Sequence, residues 1–127
     1  MIRAMEVAKQ SGVDCPIGCV IIQNNIEIAS SANMVERSNN PIAHAELICI
    51  KNACQLLNTK YLSECDLYCT LEPCEMCKEA IRLAKIKNVV FGAFRKQNIY
   101  YNNFVGGILE NECSELLQNF FTKIRIT

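Results

Sequence analysis

Four residues set the chemistry open to this sequence. His44, Glu46, Cys74 and Cys77 fall in two short runs, His44-Ala45-Glu46 and Pro73-Cys74-Glu75-Met76-Cys77. An imidazole and two thiolates make three metal-ligating groups, the number that leaves a tetrahedral ion one open position for water. Positions three apart on a helix share a face, so Cys74 and Cys77 can reach one ion. Their place in a first helical turn matters, because the partial positive charge of a helix N-terminus favours thiolates. Glu46 follows His44 by two positions and points to a different side of its helix start. From there a carboxylate can take the proton of a metal-activated water. These residue types at this spacing would carry out metal-assisted hydrolysis.

Taken alone, the Cys-x-x-Cys unit fits a structural zinc half-site or a redox pair better. Redox use calls for a βαβ context without a matching His-x-Glu. Structural zinc needs a fourth ligand, and His44 is the only histidine in the chain. Cys49 or Cys69 could supply a fourth thiolate. Cys49 lies on the same helix as His44, about 140° around it, and Cys69 precedes Cys74 in a strand. The proline, the His-x-Glu pair and the helix placements turn the balance toward a catalytic site.

The elements that must position these residues follow from hydrophobic spacing and turn chemistry. Residues 2–11 predict a short helix ending at Gly12. Gly18 to Gln23 is a continuous apolar run and predicts a buried strand. Asn24-Asn25 is a type I′ turn signal, and Ile26 to Ser31 returns as the second strand of a hairpin. Residues 32–40 are polar and irregular. Asn40-Pro41 predicts a helix start, with Asn as cap and Pro at the first position, running to about Leu57. Cys65 to Leu71 reads as a strand, Pro73 to Lys85 as a helix and Asn88 to Ala93 as a strand. Residues 98–104 are a candidate strand, and 110–123 an amphipathic helix through Leu116, Leu117, Phe120 and Phe121. Strands alternating with helices after a hairpin predict an α/β protein, a three-layer α/β/α fold with a mixed central sheet.

The 127 residues suit a single domain over residues 1–127. Thirteen basic residues balance thirteen acidic ones, so no strongly basic surface announces nucleic acid by itself. No apolar run is long enough to span a bilayer, and the first residues do not read as a signal peptide. Nine cysteines is an odd number, and Cys19, Cys49, Cys54 and Cys69 sit in apolar segments. Secreted disulfide frameworks are usually even and loop-rich. The reading is a reduced, cytoplasmic chain whose thiols are mostly buried and free, with no membrane association.

At the four site residues the sequence resembles the bacterial tRNA-specific adenosine deaminases of the cytidine/deoxycytidylate deaminase superfamily. His-x-Glu with Pro-Cys-x-x-Cys is a signature of zinc nucleobase deaminases. The likeness extends to Cys15-Pro16-Ile17-Gly18-Cys19-Val20-Ile21-Ile22, to Pro41-Ile42-Ala43 ahead of His44, and to Tyr68-Cys69-Thr70-Leu71-Glu72 ahead of Pro73. It continues through Val89-Val90-Phe91-Gly92-Ala93 and Gly107-Ile108-Leu109. The resemblance implies a cytidine-deaminase-like fold and a Zn2+ cofactor held by His44, Cys74 and Cys77. It implies Glu46 as the proton carrier and the Cys74 backbone N–H as a stabiliser of the reacting oxygen. It implies Asn33 and Ala45 as substrate contacts, although by residue type alone Asn33 reads as a solvated loop asparagine. The implied reaction turns wobble adenosine into inosine in a tRNA anticodon stem-loop, and the implied assembly is a homodimer.

The chain departs from that family between Ala93 and Gly107, where the family's segment is longer. Five residues between Ala93 and Ile99 are too few for a parallel crossover. A strand over 99–104 is therefore expected to run antiparallel to 88–93, or else to be lost. Free-nucleoside cytidine deaminases use an antiparallel arrangement there. Deamination of a free guanine- or cytosine-type base thus stays open as an alternative, as does a non-catalytic member stabilised by zinc. Candidate RNA contacts are Lys78, Arg82, Arg95, Lys96 and Phe121. Lys78, Arg82 and Lys85 recur at helical spacing, which is more often a solvated helix face. Tyr100, Tyr101 and Phe104 can stack on bases, or be alternating core positions of a strand.

Overall fold

A computed structural model describes residues 1–95 and 103–126 of the chain. The hairpin forms as its turn chemistry dictates. β1 (Gly18–Gln23) and β2 (Ile26–Ala32) are joined by Asn24 and Asn25 at φ 52° and 62°, the left-handed pair that a type I′ turn requires. α1 (Ile2–Ala8) precedes them and tightens into a 3-10 turn over Lys9–Ser11. After the hairpin come α2 (Ala45–Leu57), β3 (Asp66–Leu71), α3 (Glu75–Ala84), β4 (Asn88–Ala93), β5 (Phe104–Val105) and α4 (Glu110–Ile126).

The five strands form one sheet in the order β2-β1-β3-β4-β5. β1 runs antiparallel to β2 and to β3, while β3, β4 and β5 are parallel. Helices cover both faces. Cys19 and Ile21 of β1 point into the larger core with Cys49 and Ala53 of α2, Leu67 of β3 and Ile81 of α3. Val20, on the opposite face, packs with Ala4 and Val7 of α1. α4 joins α1's side, where a Cβ on Gly92 would collide with the Cys113 side chain. The three-layer fold follows from period-2 alternation in strands buried on both faces.

Three expectations need correcting. α2 begins at Ala45, not at Pro41. Asn40 and Pro41 instead make a turn: Ile42 N–H donates to Asn40 Oδ1 and Ala43 N–H to Asn40 O, both at 3.1 Å. Asn and Pro suit positions i and i+1 of a turn as well as a helix start, so local chemistry did not separate the two. α3 likewise begins at Glu75, with Cys74 as its N-cap. Finally, β5 is neither antiparallel nor lost. Phe104 pairs with Val89 and Val105 with Val90, in parallel. The strand starts five positions later than Ile99, so residues 94–103 are available for the crossover, close to the minimum such connections need. The stretch 98–102 of the expected strand lies outside the described residues.

Candidate metal centre and active site

The two ligand-bearing runs end up at two helix N-termini. His44 is the N-cap of α2 and Cys74 the N-cap of α3, both with extended backbone, at ψ 148° and 173°. Their carbonyls accept the first helical bonds, from Ile48 N–H at 3.1 Å and Lys78 N–H at 2.8 Å. Cys77 follows in the first turn of α3. His44 Nδ1 lies 3.6 Å from the sulfur of Cys74 and 3.6 Å from that of Cys77. The three ligand atoms fall within 4.8 Å of one another. Zinc with bonds of about 2.3 Å to sulfur and about 2.0–2.1 Å to nitrogen, at tetrahedral angles, sets N and S about 3.6 Å apart. The donor chemistry fits as well. Burial, then the charges of Glu46 and Cys74, push the Cys77 thiol far up from its ordinary value. Only a cation makes a thiolate favourable in such a place.

Glu46 is buried at 2% exposure in the first turn of α2. Its carboxylate bears on Cys77, beside the metal position rather than within the ligand set. Ala45 is wholly buried in the larger core. Asn33 is buried at the end of β2, where its N–H donates to Ile17 O at 3.0 Å and its Nδ2 to Cys15 O at 3.4 Å. Its Oδ1 is buried and has no hydrogen-bond partner among the described residues.

The candidate RNA contacts scatter. Lys78 is a correction, because it does not belong to a solvated face. Its side chain is 5% exposed, and its ammonium donates to Glu72 Oε2 at 2.9 Å, with Glu75 at 3.8 Å. Arg82 is exposed and pairs with Glu79 of its own helix. Lys85 is exposed, with its ammonium 5.4 Å from the Tyr61 ring centre. Arg95 is half-buried and donates through Nε to Glu72 O at 2.6 Å. Phe121 is exposed on α4, edge-on to Phe120. Phe104 packs against the larger core, as a strand residue should. Lys96, Tyr100 and Tyr101 lie outside the described residues.

Two further carboxylates near the site are buried, and the sequence assigned neither a chemical role. Glu72 gathers Lys78 and the N–H of Arg95, the latter at 3.1 Å, one residue ahead of Pro73. Asp14 gathers the N–H groups of Glu36 and Arg37 and the Arg37 guanidinium. The one available signal was an acid embedded among apolar and small residues, Leu71-Glu72-Pro73 and Val13-Asp14-Cys15. Burial alone would raise the Asp14 pKa, and it is the largest single influence. The hydrogen bonds from Glu36 and Arg37 together outweigh it and hold Asp14 below the ordinary aspartate value.

Residues 1–93 match the cytidine and deoxycytidylate deaminase zinc-binding region. The chain is 38% identical to the tRNA-specific adenosine deaminase of Aquifex aeolicus, over 88% of this chain and 83% of that one. It superposes with a TM-score of 0.82 on a solved tRNA:A34 deaminase that edits A to I at the wobble position, at 33% identity over 90% and 95% of the two chains. A guanine deaminase from Bacillus subtilis superposes with a TM-score of 0.72, at 32% identity over 96% and 71%.

Proposed function

We propose that this chain, which belongs to the cytidine and deoxycytidylate deaminase family, is a zinc-dependent hydrolytic deaminase that converts the wobble adenosine of a tRNA anticodon to inosine. The observation that carries the reading is the 3.6 Å spacing of His44 from both cysteine sulfurs, with the buried Glu46 carboxylate bearing on one of them. Zinc bound there would supply a water made nucleophilic at neutral pH. Glu46 would take that water's proton and deliver it to N1 of adenine as the water's oxygen bonds to C6, then pass the second proton to the C6 amino group, which leaves as ammonia. The Cys74 N–H, at a helix cap, steadies the reacting oxygen. Asn33 and Ala45 hold the base, and the unpaired Oδ1 of Asn33 supports the first of these roles.

The parallel β5 favours this substrate over a free cytosine nucleoside, since the free-nucleoside cytidine deaminases are antiparallel there. One finding favours a second reading, deamination of free guanine: the likeness to the guanine deaminase from B. subtilis. The zinc-loaded protein should be incubated with an anticodon stem-loop RNA, with guanine and with cytosine. Inosine in the RNA is the expected result. Ammonia from a free base with intact adenosine in the RNA overturns the substrate assignment.

A homodimer is part of the proposal. α2 and α3 expose Leu56 and Leu83, and a groove of about 830 Å³ between them is lined by Ile50, Tyr61 and Leu83. Apolar surface of this kind marks interaction sites. A cytoplasmic location is likewise proposed from its nine free cysteines. No helix among the described residues is long and apolar enough to cross a membrane.

A further inference from the structure

Asn33 is held with unusual completeness for a residue in a polar loop. Its N–H reaches Ile17 O at 3.0 Å, its Nδ2 reaches Cys15 O at 3.4 Å, and its carbonyl accepts Arg37 Nη2 at 3.0 Å. Only Oδ1 is left buried and unpaired among the described residues. Two of these three bonds lead to one group. Arg37 is fixed by Asp14, whose Oδ2 accepts Arg37 Nε at 3.0 Å and its N–H at 3.3 Å. Oδ1 of Asp14 accepts Glu36 N–H at 2.5 Å. Cys15, whose carbonyl takes the Asn33 amide, is Asp14's neighbour in the chain. The Asp14 side chain is fully buried, while that of Arg37 is 35% exposed.

A buried carboxylate that accepts three N–H groups from one loop and, among the described residues, has no hydrogen bond to a metal ligand has one evident consequence. It fixes the path of residues 33–37. We propose that Asp14, acting through Arg37, is a positioning residue that presets Asn33 so that its free Oδ1 meets the substrate base. The inference rests on the reading above, in which Asn33 contacts that base. Preorganised donors and acceptors avoid the cost of reorganising at the moment of binding.

A merely structural role would look different. Met34 N–H donates to Ala43 O at 3.0 Å, one residue before His44. General loosening of the loop would therefore reach the metal ligand and lower zinc content. Action through Asn33 leaves zinc in place.

The test uses the zinc-loaded full chain as wild type, Asp14→Asn, Asn33→Ala and the double variant. Kinetics are measured on whichever of stem-loop RNA, guanine or cytosine the wild type deaminates. Asp14→Asn is expected to lower kcat/KM by about ten- to a hundredfold, chiefly through KM, with zinc content unchanged. The double variant is expected to be no worse than Asn33→Ala alone. Multiplying losses, unchanged kinetics in Asp14→Asn, or lost zinc overturns the proposal. Should Asp14→Asn fail to fold, Arg37→Met replaces it, with the same outcomes read at smaller size. Should the wild type deaminate none of the three, the functional reading fails by itself. The positioning role is then read from hydrogen exchange at the Asn33 amide: faster exchange in the variant supports it, and an unchanged rate overturns it.

Discussion

Two buried carboxylates flank the site, and they are built differently. Glu72 stands on the metal side, between the end of β3 and Cys74. Its partners are the ammonium of Lys78, a side chain 5% exposed, and the N–H of Arg95. Its own N–H and carbonyl are tied as well, to Ala93 O at 2.8 Å and to Arg95 Nε at 2.6 Å. Asp14 stands on the other side, beside the loop that carries Asn33. Its partners are two backbone N–H groups and a guanidinium that is a third exposed. The first is a sealed ion pair that welds α3 to the ends of β3 and β4. The second is a clasp on a surface loop. Removing one member of a sealed pair leaves a charge without water or partner, whereas a clasp can open into solvent. The metal side is thus sealed from water, while the loop side is held by bonds that run from a buried carboxylate to a partly exposed guanidinium.

The largest effect should come from the group that neither carboxylate holds. Glu46→Gln keeps shape and burial but removes the proton carrier. Its kcat is expected to fall about 10²–10⁴-fold, with zinc content by metal analysis unchanged. A loss of zinc would mean that Glu46 belongs to the metal ligands. Next comes the sealed pair. Lys78→Met should destabilise by about 3 kcal/mol, toward the lower end for broken buried pairs because the Arg95 N–H remains. Lys78→Met with Glu72→Gln should recover most of that loss in a urea titration. If the single variant costs under about 1 kcal/mol, the two carboxylates are not different in kind.

A smaller effect concerns pH. Asp14 is held below its ordinary value in the folded chain. Its contribution is therefore complete above the unfolded aspartate value of about 4 and fades as pH falls through the lowered folded value. The stability gap between wild type and Asp14→Asn should be full near neutrality and close only in strong acid. A gap that closes already around pH 6 would contradict the clasp. Smallest of all is Arg82→Ala, which breaks an exposed, solvent-screened pair with Glu79 and should leave the midpoint of a urea titration unchanged.

Legibility in the sequence followed how local each signal was. The hairpin was legible because Asn24-Asn25 states its own backbone conformation. The layers were legible because strands alternate with helices after the hairpin, and the continuous apolar run of β1 does place Cys19 and Ile21 in one core and Val20 in the other. The ligand types His44, Cys74 and Cys77 were legible from spacing, and their atoms do gather. The start of α2 was misplaced because Asn40-Pro41 serves a turn as well as a helix start, and that of α3 because Pro73 precedes the Cys74 cap instead of following a cap. The direction of β5 was missed because its pairing with Val89 depends on where the strand begins, and Phe104 alone does not reveal that. Lys78 was misread because helical spacing groups it with Arg82 and Lys85, while the partner that turns it inward lies outside the helix at Glu72. Asp14 and Arg37 are separated by the whole hairpin, so nothing local joins them.

The central claim is that His44, Cys74 and Cys77 hold the zinc with which Glu46 works. It is tested most directly by stripping the metal and titrating zinc back while inosine formation in a stem-loop RNA is followed. Activity should be absent without metal, rise in proportion to added zinc and stop at one zinc per chain. Inosine formation by the stripped chain, or zinc uptake to one per chain without any deamination, would contradict the account.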